Sequence, residues 1–236
     1  MKRHELTDEQ WIIIKPILPK RTATTGRKPR DPRDMLNGIL WILRTGAPWR
    51  DLPERFGPWQ TVYDYYRHWR DDGTFDQMVQ DLQIRLDREG KIDWDLWCID
   101  GSSVRASRAA AGQCHESTQI QTVLDGISVP QPVGHPRKRP ARLAGDKAYS
   151  FGSVRRWLYA HGIEAIIPNR SNQKKLTRPF DKQSYKRRCV IEQCVGWLKE
   201  CRRIATRFEK LGISFLAMFK LAMMQRYLKI AFSDRA

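Results

Sequence analysis

Three short apolar runs constrain the fold of this chain most strongly, because two of them end in an aspartate. The runs occupy residues 96–100, 142–146 and 164–168. Asp100 and Asp146 close the first two, and residues 153–161, followed by Gly162, have the pattern of a helix before the third. An order of strand, helix and strand favours parallel pairing, and it therefore predicts an α/β fold for this part of the chain.

Acidic side chains at the carboxyl ends of parallel strands lie where α/β folds build their sites. Asp100 and Asp146 are 46 residues apart, and Glu192 follows Asp146 at the same interval. Asp100 alone would be explained as an acid that ends a strand, but three carboxylates together can hold two divalent ions. Hard oxygen ligands suit Mg²⁺ or Mn²⁺. Two such ions can activate a water or a 3′-hydroxyl for displacement at a phosphodiester.

Glu192 belongs to a spaced pattern with Tyr185, Arg188 and Lys199. At about 100° per residue these four side chains fall within about 60° of one helical face. A single acid among bases suits a metal ligand beside a phosphate backbone, although a solvated charged face explains any one of them alone. The other side carries residues suited to a core, which are Val190, Ile191, Cys194, Val195, Trp197 and Leu198.

The charge balance predicts a polyanionic partner. Lys and Arg number 43 against 26 acidic residues, which gives a net charge of +17. Residues 137–210 hold 20 Lys and Arg and 6 acidic residues. Nucleic acid is the commonest partner of such a surface. The longest apolar segment, residues 213–232, contains Lys220 and Arg226, and is predicted as an amphipathic helix and not as a membrane span.

The N-terminal third has the outline of a helix-turn-helix unit. Thr7 and Asp31 are typical helix caps, and helices are predicted to begin at both. Arg67 and Arg70 lie on a third predicted helix, residues 59–71, whose polar side chains could reach phosphates and bases. A plain helical bundle is the alternative, and its core would contain the aromatic residues Tyr63, Tyr66 and Trp69.

These residues together resemble the DDE transposases of bacterial insertion sequences, specifically the insertion-sequence-5-like group, over nearly the whole chain. Tyr185, Arg188, Glu192 and Lys199 match the third-acid signature of that group at every position. The segments that look like its other motifs are residues 6–11, 26–30 and 44–53, then Ile99–Ser102 around the first acid and Gly145–Tyr149 around the second.

The resemblance implies an all-α, helix-turn-helix-like DNA-binding domain in residues 1–90 and an α/β, ribonuclease-H-like catalytic domain in residues 94–236. Asp100, Asp146 and Glu192 would be the catalytic and metal-binding triad, holding two Mg²⁺ or Mn²⁺ ions. The DNA contacts expected are Lys147, Tyr185, Arg188, Lys199, Arg67 and Arg70. The reaction implied is metal-dependent cleavage and strand transfer at inverted repeats.

The partners implied are double-stranded DNA, as inverted repeats and as target, and further copies of the same chain. A transposase of this kind needs at least two copies to bring two ends together. We therefore expect a homo-oligomer on DNA, without a membrane, in the bacterial cytoplasm at the nucleoid.

One interval departs from the resemblance. The family's fold has two antiparallel strands between the first and second acids, but residues 102–139 hold a helix-like stretch, 115–127, and a basic loop. The hypothesis that follows is an internal deletion of this hairpin, and residues 171–178 also look short. The strand before Asp100 would then lie at an exposed edge of the sheet.

Two functions stay open for such a chain. In the first it is an active transposase, and the carboxylates of Asp100, Asp146 and Glu192 converge within about 4–8 Å. In the second it is a catalytically inactive derivative that only binds DNA and acts as a repressor. A third interpretation, a nuclease without strand transfer, shares the chemistry but does not need the N-terminal unit.

Overall fold

The computed structural model of the chain describes residues 4–19, 29–101, 105–106, 119–131, 133–173 and 179–232. Three predicted features lie wholly or partly outside these residues: the basic loop at 26–28, the start of the helix predicted at 115–127, and residues 174–178. The elements in chain order are α1 (Asp8–Ile14), α2 (Pro32–Thr45), α3 (Trp59–Asp71), α4 (Thr74–Arg88), β1 (Leu96–Cys98), β2 (Arg105–Ala106), α5 (Ile120–Asp125), β3 (Arg142–Ala144), α6 (Gly152–Ala160), β4 (Glu164–Ile166), α7 (Lys182–Lys186), α8 (Cys189–Glu200), α9 (Arg202–Ala205), β5 (Thr206–Arg207) and α10 (Gly212–Ala231).

The chain divides into two compact units. The first contains residues 1–86, 104–108 and 198–236, and the second contains residues 87–103 and 109–197. The domain division predicted at residues 90–94 remains a prediction. The units differ from it, because residues 104–108 and 198–236 group with the N-terminal helices.

Side-chain caps begin the first two helices where the sequence predicts them. The Thr7 hydroxyl accepts the Gln10 N–H at 3.1 Å, and the Gln10 side chain accepts the Thr7 N–H at 3.2 Å. The Asp31 carboxylate accepts the Arg33 N–H at 2.8 Å. Each bond satisfies a backbone donor that the first helical turn cannot satisfy itself.

The core of the first unit is formed by α2, α3 and α10. Tyr66 and Trp69 are buried as predicted, and Tyr63 is half-buried. The Tyr66 hydroxyl donates to the Ser214 carbonyl oxygen at 2.7 Å. Burial raises the pKa of Tyr66, so the hydroxyl stays a neutral donor. The predicted amphipathic helix is α10, with buried residues Ser214, Ala217, Met218, Leu221, Ala222, Met224, Leu228 and Ala231.

A three-stranded parallel sheet is the centre of the second unit. Its order is β1-β3-β4, which places β1 at one end of the described strands. Cys98 pairs with Ala144, and Ala144 pairs with Ile166. The predicted parallel pairing is therefore confirmed, although each strand is only three residues long. One face packs on a cluster of Ile120, Leu124, Leu143, Tyr149, Val154, Leu158, Ile163 and Ile167.

The prediction of one continuous helix from Tyr185 to Lys199 is wrong. A turn at residues 187–188 separates α7 from α8. Leu198 is buried as predicted, but Val190 is 60% exposed and does not belong to a core. Within the described part of the chain, no helix has both the length and the apolar character to cross a membrane.

Candidate active site

The parallel register places the first two acids at equivalent positions after two paired strands. Cys98 is the last residue of β1 and pairs with Ala144, the last residue of β3. Asp100 and Asp146 each follow their strand by two residues. The ladder continues one step further, because the Ile99 N–H donates to the Ala144 carbonyl at 2.8 Å. Paired strands are about 4.8 Å apart, so both acids leave the same edge of the sheet as neighbours.

Arg188 joins the first and third predicted acids. Its Nη1 atom is 3.2 Å from Asp100 Oδ2, and its Nη2 atom is 2.5 Å from Glu192 Oε1. Asp100 and Arg188 are 88 residues apart in sequence, so this contact depends on the fold. Glu192 follows Arg188 by four residues, in the first turn of α8, where a carboxylate is favoured by the helix dipole.

The electrostatics of this contact favour the charged guanidinium. Burial acts to lower the pKa of Arg188, but Asp100, Tyr185 and Glu192 outweigh it and the pKa is raised. Arg188 is only 17% exposed, whereas Glu192 is 57% exposed. Nη1 is buried and has no hydrogen-bond acceptor among the described atoms, although it is within ion-pair distance of Asp100. The ion pair with Asp100 therefore leaves this donor without a well-aligned hydrogen bond.

A short 3₁₀ turn, Lys147–Tyr149, carries the second acid. The Asp146 carboxylate accepts the Ala148 N–H at 2.8 Å, which orients it at the start of this turn. Arg170 donates to the carbonyl oxygens of Lys147 and Ala148, both at 3.0 Å, and its guanidinium lies 4.1 Å from the Phe151 ring centre. The Lys147 side chain is exposed.

Three arginines that stabilise the segments around the site are not predicted by the sequence. Arg170 holds the second-acid turn, and Arg155 donates to the Ile167 carbonyl at 2.6 Å and to Asn169 at 3.1 Å. Arg187 pairs with Asp93, just before β1. The only sequence signal was the excess of arginine itself, since nothing local separates a bracing arginine from a DNA contact.

The other predicted DNA contacts lie in different settings. Tyr185 packs beside Arg188, whose guanidinium is 5.9 Å from its ring centre. Lys199 is exposed in the last turn of α8. Arg67 is exposed on α3. Arg70 is 10% exposed and is bonded to Asp71 at 2.7 Å and to Ser214 at 2.8 Å, so its guanidinium supports the first unit.

The donor chemistry of the site fits a divalent cation. Asp100, Asp146 and Glu192 offer hard carboxylate oxygens of the kind that Mg²⁺ and Mn²⁺ prefer. The described residues contain no group of three or more His, Cys, Asp or Glu arranged to hold a metal ion. Two of the carboxylates are instead paired with Arg188. The convergence of all three carboxylates remains a prediction.

Comparison with known proteins gives two family matches. A family model described as "Putative transposase of IS4/5 family" matches residues 6–79, and one described as "Transposase DDE domain" matches residues 143–229. Asp146 and Glu192 lie inside the second match, and Asp100 lies outside both. No solved structure matches the chain.

Two curated relatives are similar over about half of the chain. One is the "Insertion element IS402 uncharacterized 16.2 kDa protein" of Burkholderia cepacia, 36% identical over 119 residues, which are 48% of this chain and 80% of the relative. The other is "Uncharacterized protein y4sN" of Sinorhizobium fredii (strain NBRC 101917 / NGR234), 36% identical over 107 residues, which are 45% of this chain and 81% of the relative.

The second family match assigns residues 143–229 to a DDE transposase domain. The chain belongs to the IS4/5 family of insertion-sequence transposases. Membership indicates a transposase role and implies binding to the ends of an insertion sequence. The DDE domain implies dependence on divalent metal in general. The comparisons do not favour the alternative of a derivative that only binds DNA.

Proposed function

We propose that this chain cleaves DNA at the inverted repeats of an insertion sequence and transfers the cut strand to a target. Asp100, Asp146 and Glu192 would hold two divalent ions, Mg²⁺ or Mn²⁺, in a ribonuclease-H-like domain. When bound, the ions supply a Lewis acid at the scissile phosphate and an activated oxygen nucleophile.

The observation that carries the proposal is the contact of Arg188 with both Asp100 and Glu192. Two of the three acids therefore converge on one point, although 92 residues separate them in sequence. The second acid, Asp146, follows the end of β3 by two residues, just as Asp100 follows the end of the paired strand β1. Carboxylates that converge from separate elements at the carboxyl edge of a sheet are typical of a catalytic site.

The basic residues predicted as DNA contacts would bind the DNA backbone. Lys147 and Lys199 are exposed, and each would place an ammonium beside a phosphate. Arg188 would donate to a phosphate oxygen, since the contact of its Nη1 atom with Asp100 does not have hydrogen-bond geometry. Tyr185 would hold the Arg188 guanidinium against its ring.

The DNA-binding role extends to the first unit and to a second copy of the chain. We assign contact with the inverted repeat to the exposed face of α3, which includes Arg67. Cleavage of two ends in one complex requires at least two copies, so we propose a homo-oligomer assembled on DNA at the bacterial nucleoid.

The shortened interval between Asp100 and Asp146 is compatible with this proposal. β1 lies at the end of the described strand order and pairs with β3, whereas the internal deletion remains a hypothesis. The strand that carries the first acid therefore keeps its register with the strand that carries the second.

A nicking assay on labelled duplex DNA with one end of the element tests the proposal. With Mn²⁺, wild-type protein should cut one strand at the end of the repeat, and Glu192→Gln should not, because the variant loses a charged metal ligand. Glu200→Gln is the matched control, since Glu200 lies exposed on the same helix, outside the predicted triad.

The control separates a lost ligand from a disturbed helix. Equal nicking by wild type and Glu192→Gln would contradict the assignment of Glu192. If wild type binds the DNA duplex but does not nick it in Mn²⁺ or Mg²⁺, the result would favour the non-catalytic alternative.

A further inference from the structure

We propose that Arg188 is an internal counter-ion of the acidic site, which holds Asp100 and Glu192 together without metal and competes with the metal for them. This inference deepens the proposed function and rests on it. It assigns to Arg188 a regulatory role in loading the site, in addition to its expected contact with DNA.

The geometry of the guanidinium is the first argument. One nitrogen lies 3.2 Å from Asp100 Oδ2, and the other terminal nitrogen lies 2.5 Å from Glu192 Oε1. The planar fork of an arginine can pair with two carboxylates at once, which a lysine ammonium does less well. Arg188 therefore spans the two acids that the DDE assignment gives to the metal.

The charge balance is the second argument. Two carboxylates that face one point repel each other unless a cation lies between them. Arg188 supplies that cation in the metal-free protein, and both acids in turn help to raise its pKa. A divalent ion needs the same oxygens, so each carboxylate must give up its ion pair with Arg188 before it can serve as a ligand.

Bound DNA offers the Arg188 guanidinium another anionic partner. Nη1 is buried at ion-pair distance from Asp100, but this contact does not have hydrogen-bond geometry, so a better aligned anionic oxygen would satisfy the donor more fully. A backbone phosphate of bound DNA offers such oxygens. Arg188 would thus exchange the carboxylates for a phosphate, and DNA would favour loading of the site.

The neighbouring residue provides a matched control. Arg187 carries the same charge one position earlier, but it pairs with Asp93 and lies 3.9 Å from Asp95. Arg187→Gln removes one positive charge from the same turn and leaves the Arg188 contacts in place. Any general electrostatic effect of the substitution should therefore appear in both variants.

The test measures binding of Mn²⁺ to the full chain without DNA. The electron spin-resonance signal of free Mn²⁺ reports the unbound ion. The salt concentration is about 0.15 M, at which charges are screened over about 8 Å. Arg188→Gln should bind Mn²⁺ about three- to tenfold more tightly than wild type, the effect of removing one nearby competing cation. The affinity of Arg187→Gln for Mn²⁺ should stay within about twofold of wild type. The affinity of Arg188→Lys should lie between those of wild type and Arg188→Gln, because a lysine keeps the charge but not the planar guanidinium that pairs with two carboxylates.

A second readout is the urea midpoint of the metal-free and metal-saturated forms. Without metal, Arg188→Gln should be less stable than wild type, because the two carboxylates lose their counter-ion. Its gain in midpoint on saturation with Mn²⁺ should exceed that of wild type. A residue that merely supports the site would instead weaken Mn²⁺ binding when it is removed.

The outcomes distinguish this inference from the proposed function. If wild type binds Mn²⁺, Glu192→Gln does not, and Arg188→Gln binds no tighter than wild type, the metal centre stands and the counter-ion role is overturned. If neither wild type nor Arg188→Gln binds Mn²⁺, the metal centre itself is overturned, and the inference with it. Tighter binding by Arg188→Gln alone supports the counter-ion role.

Discussion

Gly46 is a residue whose role is decided by packing. It ends α2 with a φ of 71°, in the left-handed region that glycine adopts freely. A Cβ atom at this position would lie 2.9 Å from the Cβ of Arg202. Nearby, the Ala47 carbonyl accepts from Arg203 at 3.1 Å. The motif at residues 44–53, expected to belong to DNA binding, therefore holds part of the first unit together.

Gly46→Ala should destabilise the protein by about 2–4 kcal/mol, because it combines a strained φ with a steric clash. Gly73→Ala is the matched control, since Gly73 has a φ of 80° but nothing within 4 Å of the added Cβ. That variant should lose only about 1–2 kcal/mol. Urea unfolding measures both, and equal losses would show that the contact with Arg202 contributes nothing.

The ionisation of Asp93 makes the stability of the second unit depend on pH. Burial acts to raise the pKa of Asp93, but the N–H groups of Leu96 and Asp95, with Arg187, outweigh it and the pKa is lowered. A lowered pKa in the folded state means stability that is present above the unfolded pKa of about 3.9 and is lost as pH falls through the folded value.

The melting temperature of Asp93→Asn should therefore be below that of wild type at pH 7. The difference should shrink as pH is lowered from about 5 through the ordinary range of Asp, because wild type then loses its charge at this position as well. A difference that stays constant between pH 7 and pH 3 would show that the ionised form of Asp93 has no part in stability.

At the scale of elements, the local patterns of the first unit were sufficient for prediction. The third helix was expected at residues 59–71, and α3 has those bounds. As predicted, Thr7 and Asp31 cap α1 and α2 and Gly46 ends α2, because each of these features depends on residues within one turn. The parallel pairing of β3 with β4 followed from the strand–helix–strand pattern, whereas the place of β1 beside β3 followed only from the family resemblance.

The break between α7 and α8 could not be predicted in the same way. No Gly or Pro interrupts residues 182–195, and the helical spacing of Tyr185, Arg188 and Glu192 continues through the turn. The contacts made from that turn are with Asp93 and Asp100, more than 80 residues away in sequence. Arg155, Arg170 and Arg187 could not be predicted for the same reason, because they contact carbonyl oxygens and side chains 12 or more residues away.

Arg170 is expected to fix the turn that presents Asp146. Arg170→Gln removes two charge-assisted bonds to carbonyl oxygens, so amide exchange at Ala148 and Tyr149 should accelerate by about tenfold or more. Hydrogen-exchange mass spectrometry of residues 145–151 measures this. Arg156→Gln, at an exposed position of α6, is the control and should leave exchange unchanged; equal exchange in both variants would remove Arg170 from this role.

At the scale of the whole molecule, the excess of positive charge predicts a steep dependence of DNA affinity on salt. The logarithm of the association constant should fall linearly with the logarithm of salt concentration, through release of counterions from the phosphates. Arg67→Ala should lower that slope by about one unit. Arg70→Ala should leave the slope unchanged, since its guanidinium is engaged by Asp71 and Ser214.

Fluorescence anisotropy with a duplex of the inverted repeat, at several salt concentrations, gives these slopes. Wild type and both variants should first be matched for folding by circular dichroism, because Arg70 also supports the first unit. A lowered slope for Arg70→Ala with an unchanged slope for Arg67→Ala would reverse the assignment of the two residues.

The central claim is that Asp100, Asp146 and Glu192 act as one metal centre. Its most direct test is cleavage of a supercoiled plasmid that carries both ends of the element, with Mn²⁺, by wild type and by Asp100→Asn, Asp146→Asn and Glu192→Gln. Each substitution should lower the cleavage rate by about a thousandfold or more, because residues that act as a unit each abolish the activity when they are replaced. The control is Glu164→Gln, at an exposed acid of β4, and it should cleave like wild type. Wild-type rates from any one of the three variants would contradict the claim.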